Sequence, residues 1–373
     1  MSTESSSAGS YSTSTPMSEW ALSTDLSERP GAGCSLRSLR ALVIGLGSAG
    51  QRHAENLLAL GVGAVEALSE QRKLSDVVIR GVPVRVFHDL KAALAAHPQV
   101  VIVANPSHLH ARYAAAALEQ GSHVYVEKPL ADSAHAAAPL TRLARERGLI
   151  LAVGCQLRFN PCLERLKMLL DVGRFGRLIH VQINAGEYLP GYHPDEDYRL
   201  SYAARAELGG GILLTQIHDL NYLHWLFGRF DSLYAIGGKT SELEINAEDN
   251  VSVLLQSAAG VAISAHMDFL QRPRRRTLAV IGEEGSAVWD AESHSLQWVS
   301  CDGKREELGP SRPFERNRMF LDAMADFLRC VQSSGLPRTN VAEGIADLCL
   351  VDTIRRSFAH QRAERVAYDD VGA

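Results

Sequence analysis

Short apolar runs alternate with helical patterns through the first half of this 373-residue chain. The apolar runs predict strands at residues 41–45, 64–68, 84–87, 100–104, 123–129 and 149–154. Apolar residues at helical spacing predict helices at residues 49–60, 88–97, 110–121 and 134–148. Strands that alternate with helices are typical of an α/β fold with a parallel, doubly wound sheet, which binds ligands at the carboxyl ends of its strands.

The pattern changes after residue 155, where polar and apolar residues alternate over longer stretches. These stretches predict strands at residues 177–189, 232–240, 250–269, 276–290 and 295–300, and helices at 161–173, 211–228, 314–335 and 341–360. Alternation of this kind favours a mostly antiparallel sheet with one covered face. We therefore predict a first domain at residues 37–155 and a second, α+β domain at residues 156–373.

Residues 1–36 are rich in serine, threonine and glycine and poor in apolar residues, which predicts a disordered tail. The tail lacks the apolar segment of a signal peptide, and its four acidic residues are atypical of a transit peptide. The six cysteines are scattered and form no C-x-x-C pair. Reduced thiols in a cytoplasmic protein fit this pattern best.

The net charge of -5 argues against a general nucleic-acid binder. A basic run at residues 272–276 is the local exception. Because no aromatic residues are interleaved with it, we interpret the run as a solvated strand end or a subunit contact. No apolar run is long enough to span a bilayer, so we predict neither a nucleic-acid nor a membrane partner.

A glycine motif lies directly between the first strand and the first helix, in the order Gly45-x-Gly47-x-x-Gly50. The first glycine allows a tight turn, the second lets a pyrophosphate approach the backbone, and the third lets helix and strand pack closely. The free N–H groups at the helix start, including those of Ser48 and Ala49, would face the phosphates. The motif in this context predicts a dinucleotide site for NAD or NADP.

The end of the second strand should select between these two cofactors. Glu70 could accept hydrogen bonds from the ribose hydroxyls of NAD. The neighbouring Arg72 and Lys73 could instead bind the additional phosphate of NADP. The sequence leaves both cofactors open.

Two further groups of residues are candidates for chemistry. Lys128 lies between Glu127 and Pro129 at the end of a strand, where it could exchange a proton with a substrate hydroxyl. On the helix after the triple glycine at 209–211, Thr215, His218 and Asp219 share one face. The polar loop around His193 is crowded with acidic residues, and we interpret it as facing substrate or solvent rather than a metal.

These motifs, in this order, resemble those of the Gfo/Idh/MocA family of NAD(P)-dependent oxidoreductases over about residues 38–366. The resemblance implies a Rossmann domain followed by a domain with an open, mostly antiparallel sheet. It implies that Lys128 is the acid/base lysine and that Arg158 faces the site. It places another four residues along the cofactor, namely Asn105, Pro106, His110 and Glu127.

The chain departs from the family pattern on its glycine-led helix. Many members have Asp and His four residues apart, whereas this chain has Thr215 and Asp219 at those positions and His218 one residue earlier. The pattern is more similar to a branch associated with nonulosonic acids and surface glycans, which favours His218 as a catalytic residue. The family resemblance also implies a homodimer or homotetramer formed through the open sheet.

We therefore predict an enzyme of carbohydrate metabolism that moves a hydride between nicotinamide and a secondary hydroxyl or ketone of a sugar or nucleotide-linked sugar. Its substrate-binding residues are predicted to be Arg158, Tyr192, His193, Tyr198, Thr215 and Asp219. Aromatic faces and polar groups of this kind suit a polyol. Two alternatives stay open: a lyase or glycosidase that oxidises its substrate transiently, and a binding protein that senses the cofactor without catalysis.

Overall fold

The computed structural model describes residues 35–70, 76–310 and 313–368. Most of the predicted tail, and the cofactor-selecting candidate Arg72, lie outside these residues. The described α-helices are α1 Ser48–Ala59, α2 Leu90–Leu94, α3 His110–Glu119, α4 Ala134–Arg147, α5 Pro161–Asp171, α6 Ile212–Thr215, α7 Ile217–Phe227, α8 Arg316–Ser333 and α9 Val341–His360.

The strands of the first half are β1 Arg40–Ile44, β2 Ala64–Leu68, β3 Val77–Ile79, β4 Val82–Val84, β5 Val86–Phe87, β6 Val100–Val103, β7 His123–Glu127 and β8 Leu151–Gly154. Those of the second half are β9 Leu178–Gly186, β10 Phe230–Gly238, β11 Asn250–Ser257, β12 Ala262–Asp268, β13 Arg275–Gly282, β14 Gly285–Asp290, β15 Ser295–Ser300, β16 Arg305–Glu307 and β17 Glu364–Arg365.

The first sheet has six strands in the order β5-β2-β1-β6-β7-β8, and all its pairs are parallel. Strand β6 and the last four residues of β1 are fully buried, as expected for parallel strands that helices cover on both faces. Residues 41–44 read as a continuous apolar run for this reason. The predicted doubly wound parallel sheet is confirmed.

The second sheet has nine strands in the order β16-β15-β14-β13-β9-β12-β11-β10-β17. Its neighbouring strands are antiparallel except for β9 and β12, which are parallel. Strand β9 alternates buried and accessible side chains at Val181, Gln182 and Ile183, because one face of the sheet packs on the core. The predicted mostly antiparallel sheet is therefore confirmed, and helix α9 packs on its strand β10.

The other face of this sheet is open within the described residues. It exposes large apolar side chains on two neighbouring strands, Tyr234 and Ile236 on β10 and Leu254 on β11, with Leu254 62% exposed. No described helix is both long and apolar enough to cross a membrane. No disulfide joins the cysteines in the described part of the chain.

Two predicted helices differ from the structure, and the predicted strands at 250–269 and 276–290 are each a pair of strands, β11 with β12 and β13 with β14. The predicted helix at 88–97 is limited to α2, which Asp89 caps at its start. The helix ends before His97, a residue whose φ of 53° does not fit a helix. The predicted continuous helix at 211–228 is divided into α6 and α7 by Gln216, whose φ and ψ are -101° and 23°. The sequence analysis also missed the hairpin of β3 and β4 and the short strands β16 and β17.

Candidate active site

The glycine motif forms a turn that suits a dinucleotide. Gly45 has a φ of 96°, and a Cβ on Gly50 would lie 1.8 Å from the carbonyl oxygen of Gly45. A Cβ on Gly47, by contrast, would meet nothing within 4 Å. Gly47 caps α1, and no side chain caps that helix start. The turn therefore leaves open space beside unpaired backbone N–H groups, which is the environment that a pyrophosphate requires.

This difference between two glycines of one motif predicts two different defects. Gly47→Val should leave thermal unfolding nearly unchanged, because the new side chain enters open space, but should weaken NADH binding by at least tenfold, on the order of 1.4 kcal/mol or more. Gly50→Ala should lower the unfolding temperature, because its Cβ collides with backbone. Calorimetric binding and thermal unfolding on both variants check the prediction, and equal NADH affinity for Gly47→Val and wild type would contradict it.

Glu127 ends β7 and is held by a buried histidine from α1. The Oε1 atom of Glu127 lies 2.6 Å from Nε2 of His53, whose side chain is fully buried. Burial alone would raise the pKa of Glu127, but the hydrogen bond from His53 and the charge of Lys128 hold that pKa below its usual range. Glu127 is thus an anion that fixes the end of β7, directly before Lys128.

The interruption at Gln216 creates the contact that positions Lys128. The N–H of Asp219 donates to the carbonyl oxygen of Gln216, so it does not bond to Thr215 four residues earlier. The carbonyl oxygen of Thr215 is instead free to accept a hydrogen bond of 2.8 Å from Nζ of Lys128. In a continuous helix the Thr215 carbonyl oxygen would accept the N–H of Asp219. Because the helix is broken, this oxygen instead binds Lys128 and connects the end of β7 to α6.

Three unpartnered polar atoms lie on the segments around Lys128. The hydroxyl of Thr215, Nδ1 of His218 and Oδ1 of Asn105 are buried and have no hydrogen-bond partner among the described residues. Burial, with Lys128 and Arg276 nearby, lowers the pKa of His218 well below its ordinary value. His218 is therefore a neutral imidazole at neutral pH. Unsatisfied buried polar atoms are rare in proteins, and here they fit a ligand that completes them.

Asp219 lies behind this site. Its carboxylate is fully buried, accepts a hydrogen bond of 2.7 Å from the hydroxyl of Tyr222 and lies 3.2 Å from Nε of Arg276. Arg276 also donates to Gln216, whose amide nitrogen in turn donates to Tyr192 at 3.2 Å. Asp219 therefore positions other groups of the protein, and its predicted role in substrate binding stays a prediction.

His110, which was predicted to lie along the cofactor, is held between two loops. Its ring is 1% exposed and lies between two carbonyl oxygens, with Nδ1 2.7 Å from Pro129 and Nε2 2.8 Å from Asn105. Burial lowers the pKa of His110. The ring joins the loop after β6, which includes Pro106, to the loop after β7. His110 thereby fixes the spacing between Asn105 and Lys128, and its own nitrogens do not face the cleft.

The acidic candidate for cofactor selection lies where the sequence predicted it, after β2. The carboxylate of exposed Glu70 accepts a hydrogen bond from the hydroxyl of Tyr113 on α3. Tyr113 is buried, and burial together with Glu70 raises its pKa to about 12. Because the hydroxyl stays protonated, it keeps the Glu70 carboxylate in place at neutral pH.

Arg158 was predicted to face substrate, but its guanidinium is buried among other elements. Its Nε donates to Asn221 on α7 at 2.9 Å, and Nη2 lies 2.8 Å from Glu343 on α9. The amide nitrogen of Asn221 in turn donates a hydrogen bond of 2.6 Å to the carboxylate of Asp347. The arginine therefore connects the segment after β8 to two helices, and all these contacts are internal.

The polar loop after β9 divides into two parts. Tyr192 contacts Gln216, as described above, whereas the Tyr198 hydroxyl accepts a hydrogen bond of 3.2 Å from the N–H of Glu244. His193 is exposed on the same loop. Within the described residues, no group of three or more His, Cys, Asp and Glu side chains could hold a metal ion. The structure thus brings Tyr192 to the candidate site and places Tyr198 against another loop.

Sequence reasoning missed two residues of this arrangement. The role of Gln216 was not predicted, because a single polar residue inside an apolar helical pattern does not indicate a break in the helix. Arg276 was interpreted as part of a solvated strand end or a subunit contact. Arginines at alternate positions before and within a strand, however, lie on one face of that strand. The alternation of arginines at 272, 274 and 276 is the signal that could have found it.

Both halves of the chain match models of one family. Residues 39–155 match the Gfo/Idh/MocA model described as an oxidoreductase family with an NAD-binding Rossmann fold. Residues 163–288 match the model of the Gfo/Idh/MocA C-terminal domain. The matches cover the first sheet and strands β9 to β13 of the second, whereas the predicted domain boundary at residue 155 stays a prediction.

Curated relatives and a solved structure are similar over most of the chain. Levoglucosan dehydrogenase from Pseudarthrobacter phenanthrenivorans is 22% identical over 70% of this chain and 78% of its own length. The 1,5-anhydro-D-fructose reductase from Ensifer adhaerens is 27% identical over 71% of this chain and 79% of its own. The WlbA dehydrogenase from Bordetella pertussis, solved with NADH and UDP-GlcNAcA, has a TM-score of 0.75 and 24% identity, covering 88% of this chain and 99% of that chain.

Proposed function

The chain belongs to the Gfo/Idh/MocA family of oxidoreductases, and from this premise we propose that it oxidises or reduces a sugar at a secondary hydroxyl or ketone. The dinucleotide turn and the cluster of unpartnered polar atoms beside Lys128 support this proposal. Relatives that are named for sugar oxidation or reduction support the substrate class. The single observation that carries it is the 2.8 Å contact that holds the Lys128 amine beside Thr215 and His218.

The cofactor is NAD or NADP. Gly45, Gly47 and Gly50 would hold the pyrophosphate at the start of α1, and Asn105 and Pro106 would border the nicotinamide side of the cleft. When bound, the nicotinamide supplies the site that accepts or donates the hydride. The Glu70 carboxylate, held by Tyr113, favours the free ribose hydroxyls of NAD over the added negative charge of NADP.

Lys128 performs the proton chemistry in this proposal. Its amine has a fixed acceptor in the Thr215 carbonyl and keeps further N–H donors for a substrate oxygen. In the oxidative direction the neutral amine takes the hydroxyl proton as the carbon loses its hydride, and in the reductive direction the ammonium returns it. Neutral His218 binds the same or the adjacent oxygen through Nδ1, which lacks a protein partner.

The remaining polar groups bind and orient the sugar. The Thr215 hydroxyl is unpartnered, and Tyr192 presents an aromatic ring beside Gln216. Burial raises the pKa of Tyr192, so its hydroxyl stays protonated and acts as a hydrogen-bond partner rather than a base. His193 would contribute from the exposed part of the same loop.

We also propose that two copies of the chain associate through the open face of the nine-stranded sheet. Side chains at cross-strand neighbouring positions, Tyr234 and Leu254, are 40% and 62% exposed there. An apolar patch on a sheet face is a common site of association.

One experiment tests the proposed function. The purified protein is first denatured and the released small molecules are identified by mass spectrometry. It is then mixed with NAD or NADP and a panel of neutral and acidic sugars, and nicotinamide reduction is followed by absorbance. Reduction of NAD by at least one sugar is expected, with weaker use of NADP. Binding of NADH with no hydride transfer from any sugar to NAD, and none from NADH to any sugar ketone, would contradict the proposal.

A further inference from the structure

Four side chains form a chain of hydrogen bonds that runs from a buried carboxylate to the candidate site. The carboxylate of Asp219 is fully buried and accepts a hydrogen bond of 3.3 Å from Nη2 of Arg276. The same Nη2 atom donates to the side-chain oxygen of Gln216, a residue that is 5% exposed. The amide nitrogen of Gln216 then donates to the hydroxyl of Tyr192 at 3.2 Å. We call these four residues the Tyr192 relay.

The chemistry of the four groups fixes the direction of each hydrogen bond in the Tyr192 relay. A carboxylate only accepts and a guanidinium only donates, so the bond from Arg276 to Asp219 has one direction. Because Arg276 also donates to Gln216, the amide must turn its oxygen to Arg276 and its NH2 group to Tyr192. The Tyr192 oxygen therefore accepts, and its own hydroxyl hydrogen is left for another acceptor.

The protein does not supply that acceptor. No described residue accepts a hydrogen bond from the Tyr192 hydroxyl, whose recorded partner is the Gln216 donor. The ring packs edge to face on buried Phe269, with the ring centres 6.1 Å apart, while Tyr192 stays partly accessible. Burial raises the pKa of Tyr192, so the hydroxyl keeps its hydrogen at neutral pH. Tyr192 is thus a fixed donor that lacks an acceptor.

The Tyr192 relay and the lysine amine meet at the same break between α6 and α7. Gln216 directly follows Thr215, whose carbonyl oxygen accepts a hydrogen bond of 2.8 Å from Nζ of Lys128. His218, with its unpartnered Nδ1, is two residues farther along the chain. A sugar whose reacting oxygen lies at Lys128 carries further oxygens on the neighbouring carbons, and one of these can reach Tyr192.

We propose that Arg276 and Gln216 are positioning residues that hold Tyr192 as a one-way hydrogen-bond donor, so that the site selects a sugar with an acceptor oxygen opposite this hydroxyl. This inference rests on the proposed function. A hydroxyl or carbonyl oxygen of the sugar satisfies the donor. A carbon without oxygen leaves the donor unsatisfied, and a protonated amine places a second donor against it.

Analogues changed at single carbons of the sugar test the direction of this hydrogen bond. The best-binding sugar is compared with its deoxy, deoxyfluoro and amino analogues at each secondary carbon, by calorimetry with NADH present. At one carbon the deoxy and amino analogues should bind about 10- to 100-fold more weakly than the parent sugar. Fluorine accepts a hydrogen bond but does not donate one, so the deoxyfluoro analogue should bind more tightly than these two.

Three variants assign the preference to the Tyr192 relay. Tyr192→Phe removes the donor and should bind the deoxy and deoxyfluoro analogues equally. Gln216→Glu keeps an oxygen for Arg276 but replaces the NH2 group by an acceptor, so Tyr192 turns its hydrogen to the carboxylate and its oxygen to the substrate. The preference should then shift to the amino analogue. Tyr198→Phe is the matched control and should behave as wild type, because that hydroxyl accepts from the N–H of Glu244 on another loop.

A second readout needs no sugar. The side-chain NH2 group of Gln216 donates to Tyr192, so its hydrogen exchange should be slow in NMR spectra of the free protein. Tyr192→Phe removes the acceptor and should speed this exchange about fivefold or more. Tyr198→Phe should leave it unchanged.

The inference is overturned if no carbon of the sugar shows the acceptor preference, if Tyr192→Phe retains the preference, or if Gln216→Glu does not shift it to the amino analogue. Exchange of the Gln216 amide that is the same in Tyr192→Phe and wild type would overturn it without any sugar. Failure of the proposed function is a separate result, because it appears as NADH binding without hydride transfer to or from any sugar.

Discussion

Lys128→Ala should lower kcat by on the order of a hundred- to ten-thousandfold while NADH affinity stays within about twofold of wild type. Among the described residues, Lys128 is the basic side chain that donates to the Thr215 carbonyl oxygen. If it is the general acid/base, its removal slows the proton transfer step. The dinucleotide turn lies on another loop, so cofactor binding does not depend on this side chain. Steady-state rates on the best sugar of the panel, with calorimetric NADH binding, measure both effects.

Lys167→Ala is the matched control for this prediction, because that lysine lies on α5 in an ion pair with Asp171 away from the cleft. It should have wild-type kcat. Lys128→Arg separates charge from proton transfer, since arginine keeps the cation but does not release a proton at neutral pH. A Lys128→Ala enzyme with wild-type turnover would show that another group moves the proton.

Asp219→Asn should lower the free energy of unfolding by about 3 kcal/mol, because it leaves the Arg276 guanidinium without its counter-charge. The Asp219 side chain is fully buried, and that of Arg276 is only 15% exposed. Without Asp219, Arg276 should also lose its fixed position against Gln216, which lies at the break between α6 and α7. We therefore expect kcat to fall as well. Urea denaturation followed by circular dichroism gives the stability difference.

The double variant Asp219→Asn with Arg276→Met should regain part of the lost stability, since the unpaired cation is then absent. Asp302→Asn, at an exposed ion pair with Lys304, is the control and should leave the unfolding midpoint unchanged. A single Asp219→Asn variant as stable as wild type would mean that the buried pair contributes little to the fold.

Local pattern predicted much of the fold. Parallel strands that are buried on both faces need continuous apolar runs, and the run at 41–44 was therefore visible in the sequence. Strand β9 alternates because one of its faces is covered, and this too could be predicted. The hairpin of β3 and β4 was missed because three-residue strands are too short to show a period.

The candidate site was predicted less completely, because a side chain's partners come from distant parts of the chain. The sequence placed His110, Arg158 and Asp219 in the candidate site, and the structure shows that all three are occupied by internal contacts. His110 joins two loops, Arg158 joins two helices, and Asp219 pairs with an arginine 57 residues away. The spacing of residues along the sequence does not predict these contacts, since each depends on how the two sheets and their helices pack.

The sequence by itself determined the glycine turn, the order of strands and helices in the first half, and the position of Lys128 directly after a strand of the parallel sheet. These features follow from local backbone requirements and from the period of apolar residues, which neighbouring residues fix. The tertiary structure alone decided which polar groups are available. It broke the helix at Gln216, so that the Thr215 carbonyl accepts a hydrogen bond from the Lys128 amine, and it brought Arg276 of β13 to Asp219 of α7, because packing between elements sets distances that sequence spacing does not contain.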